Sequence, residues 1–232
     1  MRHLTLRTAE VSAALIGLAL ASPAAAVTFA DGAVHVIDSS NSFPLESAVV
    51  DDGPGPTTTT VNLVTGGEIA PQGGSGLEAF GTSQVNVSGG SLGGFLVATD
   101  DSQVSISATG TANTFGIQAT GRAHVTLSDG RVGQIGGPLT ALDLALIEIV
   151  GSGFNLPLGD IVALSGMLTG VLADGTPIST SFGRASTARI SLVPEPASAV
   201  LLAAGLAATR RQDDQRWRVR RARWSRPCHG LA

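Results

Sequence analysis

A spacing in the middle of the chain constrains its fold more than any other feature. Leu77–Glu78–Ala79 precedes Val85–Asn86–Val87, Leu96–Val97–Ala98 precedes Val104–Ser105–Ile106, and Ile117–Gln118–Ala119 precedes Val125–Thr126–Leu127. In all three the alanine and the next valine are six residues apart. Val61–Asn62–Leu63 with Ile69 is an earlier, less complete copy, and a further apolar or small residue follows later copies at Leu92, Ala112 and Val132. From Val61 to Val85, Val104 and Val125 the steps are 24, 19 and 21 residues. Each unit holds two or three very short period-2 strands punctuated by Gly, Ser, Thr, Asn and Asp. One such unit cannot bury its apolar side alone; stacked units bury it against each other, which is the logic of a β-solenoid.

The expected fold is therefore all-β: a short right-handed parallel β-solenoid, β-helix-like, over residues 27–136. Val85, Val104 and Val125 form one inner ladder, and Val87, Ile106 and Leu127 another. Asn86, Ser105 and Thr126 then point outward by strand alternation. Val34–His35–Val36 and Ser47–Val50 read as an entry coil, and Asp51 to Pro56 as a turn or loop. After about residue 137 the pattern changes. Residues 137–193, with the Asp174–Gly175 turn signal, read as a C-terminal β cap that protects the open end. An antiparallel β-sandwich is the alternative that regular short strands also allow.

Composition agrees with thin layers and many turns: there are 30 glycines and no tyrosine. The chain has no lysine, and between Val27 and Val193 four arginines face fourteen acids, a formal net charge of −10. Such a body lacks the clustered cations that neutralise phosphate, so nucleic acid is excluded as a partner. The lone cysteine, Cys228, allows no intrachain disulfide and no cysteine-based zinc site.

Catalytic chemistry is sparse. His35 and His124 are the only histidines between residues 27 and 193, and no Ser–His–Asp set can be assigned. His124 is read as a surface or strand-end residue. A polysaccharide-active solenoid enzyme, a lyase or hydrolase, is the alternative to a non-enzymatic protein; it would draw on Asp100, Asp101, Asp129 and Glu78, with Arg122 and Arg131 nearby. No cofactor and no metal ligand is expected, and Asp100–Asp101 is read as a solvated turn.

The two ends speak of export. Arg2, His3 and Arg7 make a basic start, Val11 to Leu20 an apolar stretch, and Ala24 and Ala26 a small-residue cleavage site, so residues 1–26 read as a signal peptide for the secretion translocon. At the other end, Pro194–Glu195–Pro196 precedes an apolar run from Ala197 and then Arg210–Arg211. Residues 197–209 are 13 residues long, about 20 Å as a helix and short for a bilayer core of about 30 Å. Arg210 and Arg211 would orient it by the positive-inside rule.

In this order of parts, residues 194–211 resemble the sorting signal of PEP-CTERM proteins. Ile149 to Pro157 and Leu168–Thr169–Gly170 are similar to the terminal region of some members. The resemblance implies a Gram-negative bacterium, transient inner-membrane anchoring through residues 197–209, and recognition of Pro194, Glu195 and Pro196 by an exosortase. It further implies a final place at the cell surface or in the extracellular matrix, with exopolysaccharide and biofilm. The chain departs from the family in residues 212–232, a basic tail expected to be disordered. That tail reads either as a membrane-surface segment or as an extension without a selected role.

Overall fold

The computed structural model describes residues 26–71, 74–107, 111–132 and 137–195. No helix occurs among them, their strands belong to one continuous sheet, and the chain winds into a β-solenoid of about five turns.

Each coil has up to three sides. The front face stacks β2 (Val34–Ile37), β4 (Thr60–Leu63), β7 (Gln84–Val87), β9 (Gln103–Ile106), β11 (His124–Leu127), β14 (Leu146–Ser152) and β18 (Arg189–Pro194). Every neighbouring pair in this stack is parallel. The rear face stacks β1 (Ala26–Phe29), β3 (Ser47–Val50), β6 (Ser75–Ala79), the second halves of β8 (Ser91–Ala98) and β10 (Thr111–Ala119), β13 (Leu139–Ala141) and β17 (Pro177–Arg184), again all parallel. A narrow face is made by β5 (Glu68–Ile69), the first halves of β8 and β10, and β12 (Arg131–Val132). The parallel registers replace the antiparallel sandwich considered as the alternative.

Alternation along each short strand sends every second residue inward. On the front face Val61, Val85, Val104, Val125, Ile147 and Ile190 stand in one buried ladder, and Leu63, Val87, Ile106, Leu127, Ile149 and Leu192 in the next. On the rear face Leu77, Leu96, Ile117, Leu139 and Phe182 continue the core. Fully burying one such side chain contributes about 1.5–3 kcal/mol relative to leaving it in water. A single coil supplies only a few of them, so the stack is the stable unit.

The corners explain the glycines and two of the aspartates. Gly81, Asp100, Gly121 and Asp143 occupy the same left-handed position (φ between +55° and +69°) in successive coils, linked by backbone hydrogen bonds from each coil to the one before. Asp tolerates this conformation better than most side chains. Here its carboxylate also accepts from the preceding coil: Gly81 N donates to Asp100 Oδ2 at 3.3 Å, and Gly121 N to Asp143 Oδ2 at 3.2 Å. Inside the same corner a column of small residues, Thr59, Ser83, Ser102, Ala123 and Ala145, precedes the front strands and is buried. A second corner lies where β8 and β10 pass from the narrow face to the rear face. The register skips one residue there on each side of β8, at Gly76 and at residue 115. Gly94 sits at this bend with φ +76°, and a Cβ on it would lie 2.7 Å from the Gly76 nitrogen, so only glycine fits.

The change of pattern read at residue 137 does not interrupt the ladders. β13 pairs in parallel with β10, β14 with β11, β17 with β13 and β18 with β14. What changes is the insertion of β15 (Gly159–Asp160) and β16 (Ser165–Leu172) between rungs. β16 pairs antiparallel along the outer edge of β17, and β15 along that of β18. These two, with a short pairing of β16 onto the end of β14, are the antiparallel contacts among the described strands. Asn155 in turn covers β16: its Nδ2 donates to the Met167 carbonyl at 3.1 Å, and its Oδ1 accepts from Thr169 N at 2.8 Å.

Candidate functional site

The front face has two outward columns. Thr60, Gln84, Gln103 and His124 stand in register in one; Asn62, Asn86, Ser105, Thr126 and Glu148 in the other. Because the strands are parallel and in register, like residues recur one coil apart, about 4.8 Å. Asn86 Nδ2 donates to Asn62 Oδ1 at 2.9 Å, the start of an amide ladder. Between the columns lies a shallow depression of about 160 Å³ lined by Gln84, Asn86, Gln103, Ser105, His124 and Thr126, with Val104 at its floor. At its upper rim His124 Nε2 lies 2.8 Å from Glu148 Oε2. Hydroxyls and amides here both donate and accept, and no arginine lines the depression. Arg189, further up the face, is committed to Asp160 by two contacts of 3.0 Å.

The carboxylates singled out in the sequence do not share one cleft. Asp100 serves the corner before β9, as described. Asp101, beside it, receives a bidentate pair from Arg122 one coil on, at 2.6 and 2.5 Å; that hydrogen-bonded guanidinium holds its carboxyl below the usual range. Glu78 stands outward on the rear face, opposite Val49 and Val97. Asp129 lies beyond the other end of the front strands, after β11, and is 3% exposed. Burial, and then the neighbouring Asp174 carboxyl, push it up to about 6. Burial opposes ionisation of Asp174 as well, but hydrogen bonds with Asp129 and Thr176 outweigh it and hold Asp174 low. Among the described residues no three of His, Cys, Asp and Glu gather as metal ligands.

Of the residues assigned to processing, Ala26 opens β1 opposite Ser47. Pro194 closes β18 opposite Gly151 and is exposed. Glu195 follows it, and its Oε1 accepts from Ser152 Oγ at 3.2 Å. Ala24, Pro196, the apolar segment 197–209, Arg210, Arg211 and the tail 212–232 lie outside the described residues.

The outward Asn86–Ser105–Thr126 column is legible in the sequence from alternation alone. Its companion, Gln84–Gln103–His124, repeats one residue before each inner valine but mixes amide and imidazole side chains, which hides the column in the sequence. Asp174 had no signal beyond its turn. No protein-family profile, curated protein or solved structure matches this chain.

Proposed function

We propose that this chain is a non-enzymatic exported protein of the cell surface or extracellular matrix, whose solenoid front face contacts exopolysaccharide. The observation that carries the reading is the hydrogen-bonding depression formed by Gln84, Asn86, Gln103, Ser105, His124 and Thr126, with no arginine in its lining. Sugars are recognised by many modest hydrogen bonds, each contributing about 1 kcal/mol net. A ladder that repeats them coil after coil suits a polymer better than a small ligand.

Residues 194–211, which resemble a PEP-CTERM signal, supply the route. The secretion translocon exports the chain, residues 197–209 hold it in the inner membrane as a short apolar helix, and Arg210 and Arg211 keep their end cytoplasmic. An exosortase then acts at Pro194–Glu195–Pro196. In this reading the coil is right-handed, and β15 and β16 act as the C-terminal β cap. Asp100 and Asp101 share one corner, while Glu78 and Asp129 stand elsewhere on the coil, an arrangement that favours the non-enzymatic reading over a polysaccharide lyase or hydrolase.

Affinity electrophoresis of the secreted protein in gels containing the host's exopolysaccharide tests the binding half of this reading. The wild type is retarded, and a Gln84→Ala/Gln103→Ala/Ser105→Ala variant with an unchanged unfolding midpoint is retarded much less. Equal mobility of the two, in the presence and absence of polysaccharide, contradicts it. Release of shortened glycan chains moves the protein to the enzyme class.

A further inference from the structure

The corner after β11 is Ser128–Asp129–Gly130, and the tip of the β16–β17 hairpin lies against it. The path is short. Leu127 stands opposite Ile149 of β14, Gly151 of β14 stands opposite Leu172 of β16, and Ala173 N donates to the Val150 carbonyl at 3.0 Å. Asp174, the next residue, thereby brings its carboxyl to that of Asp129.

The two acids are unequally provided for. Asp174 accepts from the Thr176 amide and hydroxyl at 2.8 and 2.5 Å. Asp129 is almost fully buried, its Oδ1 takes the Gly130 amide, and its buried Oδ2 has no donor other than a proton shared with the Asp174 carboxyl. Below about pH 6 a proton lies between the two carboxyls; once both are ionised, the buried pair is strongly unfavourable unless a cation takes that place.

We infer that Asp129 and Asp174 together hold a hard divalent cation of the calcium class, which fastens the hairpin to the solenoid corner. The donors are oxygen only, and among the described residues no His or Cys joins the two aspartates. That excludes the usual zinc sets and suits an ion that fills its shell with carboxylates, backbone carbonyls and water. The site joins the inserted hairpin to the parallel coils, so the ion ties the two kinds of pairing together. It is independent of the front face and of the sorting signal.

The test uses the full chain, stripped of metal by a chelator and dialysed near neutral pH against calcium chloride alone. Bound radioactive calcium and the thermal unfolding midpoint are read together. The wild type binds about one ion per chain with a dissociation constant of about 10⁻⁴–10⁻³ M, and its midpoint rises on saturation. Asp129→Asn and Asp174→Asn each weaken binding roughly tenfold or more and lose the rise, and stripped Asp129→Asn unfolds no earlier than the stripped wild type. Glu78→Gln, outward on the rear face, keeps the calcium response. Absence of binding by the wild type at millimolar calcium overturns the inference, as does equal affinity in the wild type and both aspartate variants.

Discussion

At the scale of single residues, buried polar atoms mark where this chain departs from an ideal stack. Ser83 and Ser102 are fully buried, and neither hydroxyl finds a partner. In the next coils the same column is Ala123 and Ala145, so the site accepts a methyl group. Ser102→Ala removes an unsatisfied hydroxyl and leaves little cavity; it should stabilise the protein by about 1 kcal/mol, read as a higher urea midpoint at unchanged slope. A lower midpoint means that the hydroxyl is satisfied. Asp129 gives a pH prediction with a definite sign. Its folded value of about 6 stands above the ordinary 3.8, so between about pH 4 and 6 the folded chain keeps a proton that the unfolded chain has lost. Stability of the metal-free protein therefore falls as pH rises through that window. Asp174 and Asp101 are held low, so their contributions are lost only at more acid pH, as pH falls through their lowered values. Asp129→Asn should flatten the fall between about pH 4 and 6 in chelator-treated samples. An unchanged slope contradicts the assignment.

At the scale of elements, the short strands have little stability of their own, and the corners set the register. Gly94 and Gly55 separate conformational from steric cost. Both have positive φ, but a Cβ on Gly94 meets the backbone of Gly76, whereas one on Gly55 meets nothing within 4 Å. Gly55→Ala should cost about 1 kcal/mol. Gly94→Ala should cost several times more, because the neighbouring coil must move. Equal unfolding midpoints for the two variants would refute the close approach. The corners also explain what was readable beforehand. The step from Ala79 to Val85, repeated at Ala98 to Val104 and Ala119 to Val125, exposes the coil because this corner keeps its length. The ladder is lost to the eye after Ile147 because β15 and β16 intervene before Ile190 takes the next rung. The outward Asn86–Ser105–Thr126 column follows from period-2 alternation. The meeting of Asp129 with Asp174 does not, since it depends on where an inserted hairpin folds back.

At the scale of the whole molecule, edge pairing at the last rung and net charge both bear on self-association. The outer edges of β17 and β18 are paired by β16 and β15, which blunts edge-to-edge association. The acidic body between Val27 and Val193, at −10, also disfavours self-association. High salt should therefore promote aggregation of the protein, measured by light scattering; salt-independent scattering contradicts a role for charge repulsion.

The proposed life of the chain, made in one compartment and kept in another, depends on both termini being removed. Intact-mass spectrometry of the protein from its native host, taken separately from the cytoplasmic and the surface or matrix fractions, tests this most directly. The account predicts a surface species that begins at Val27 and ends within Pro194–Pro196. A protein found only in the cytoplasm, running uncut from Met1 to Ala232, contradicts it.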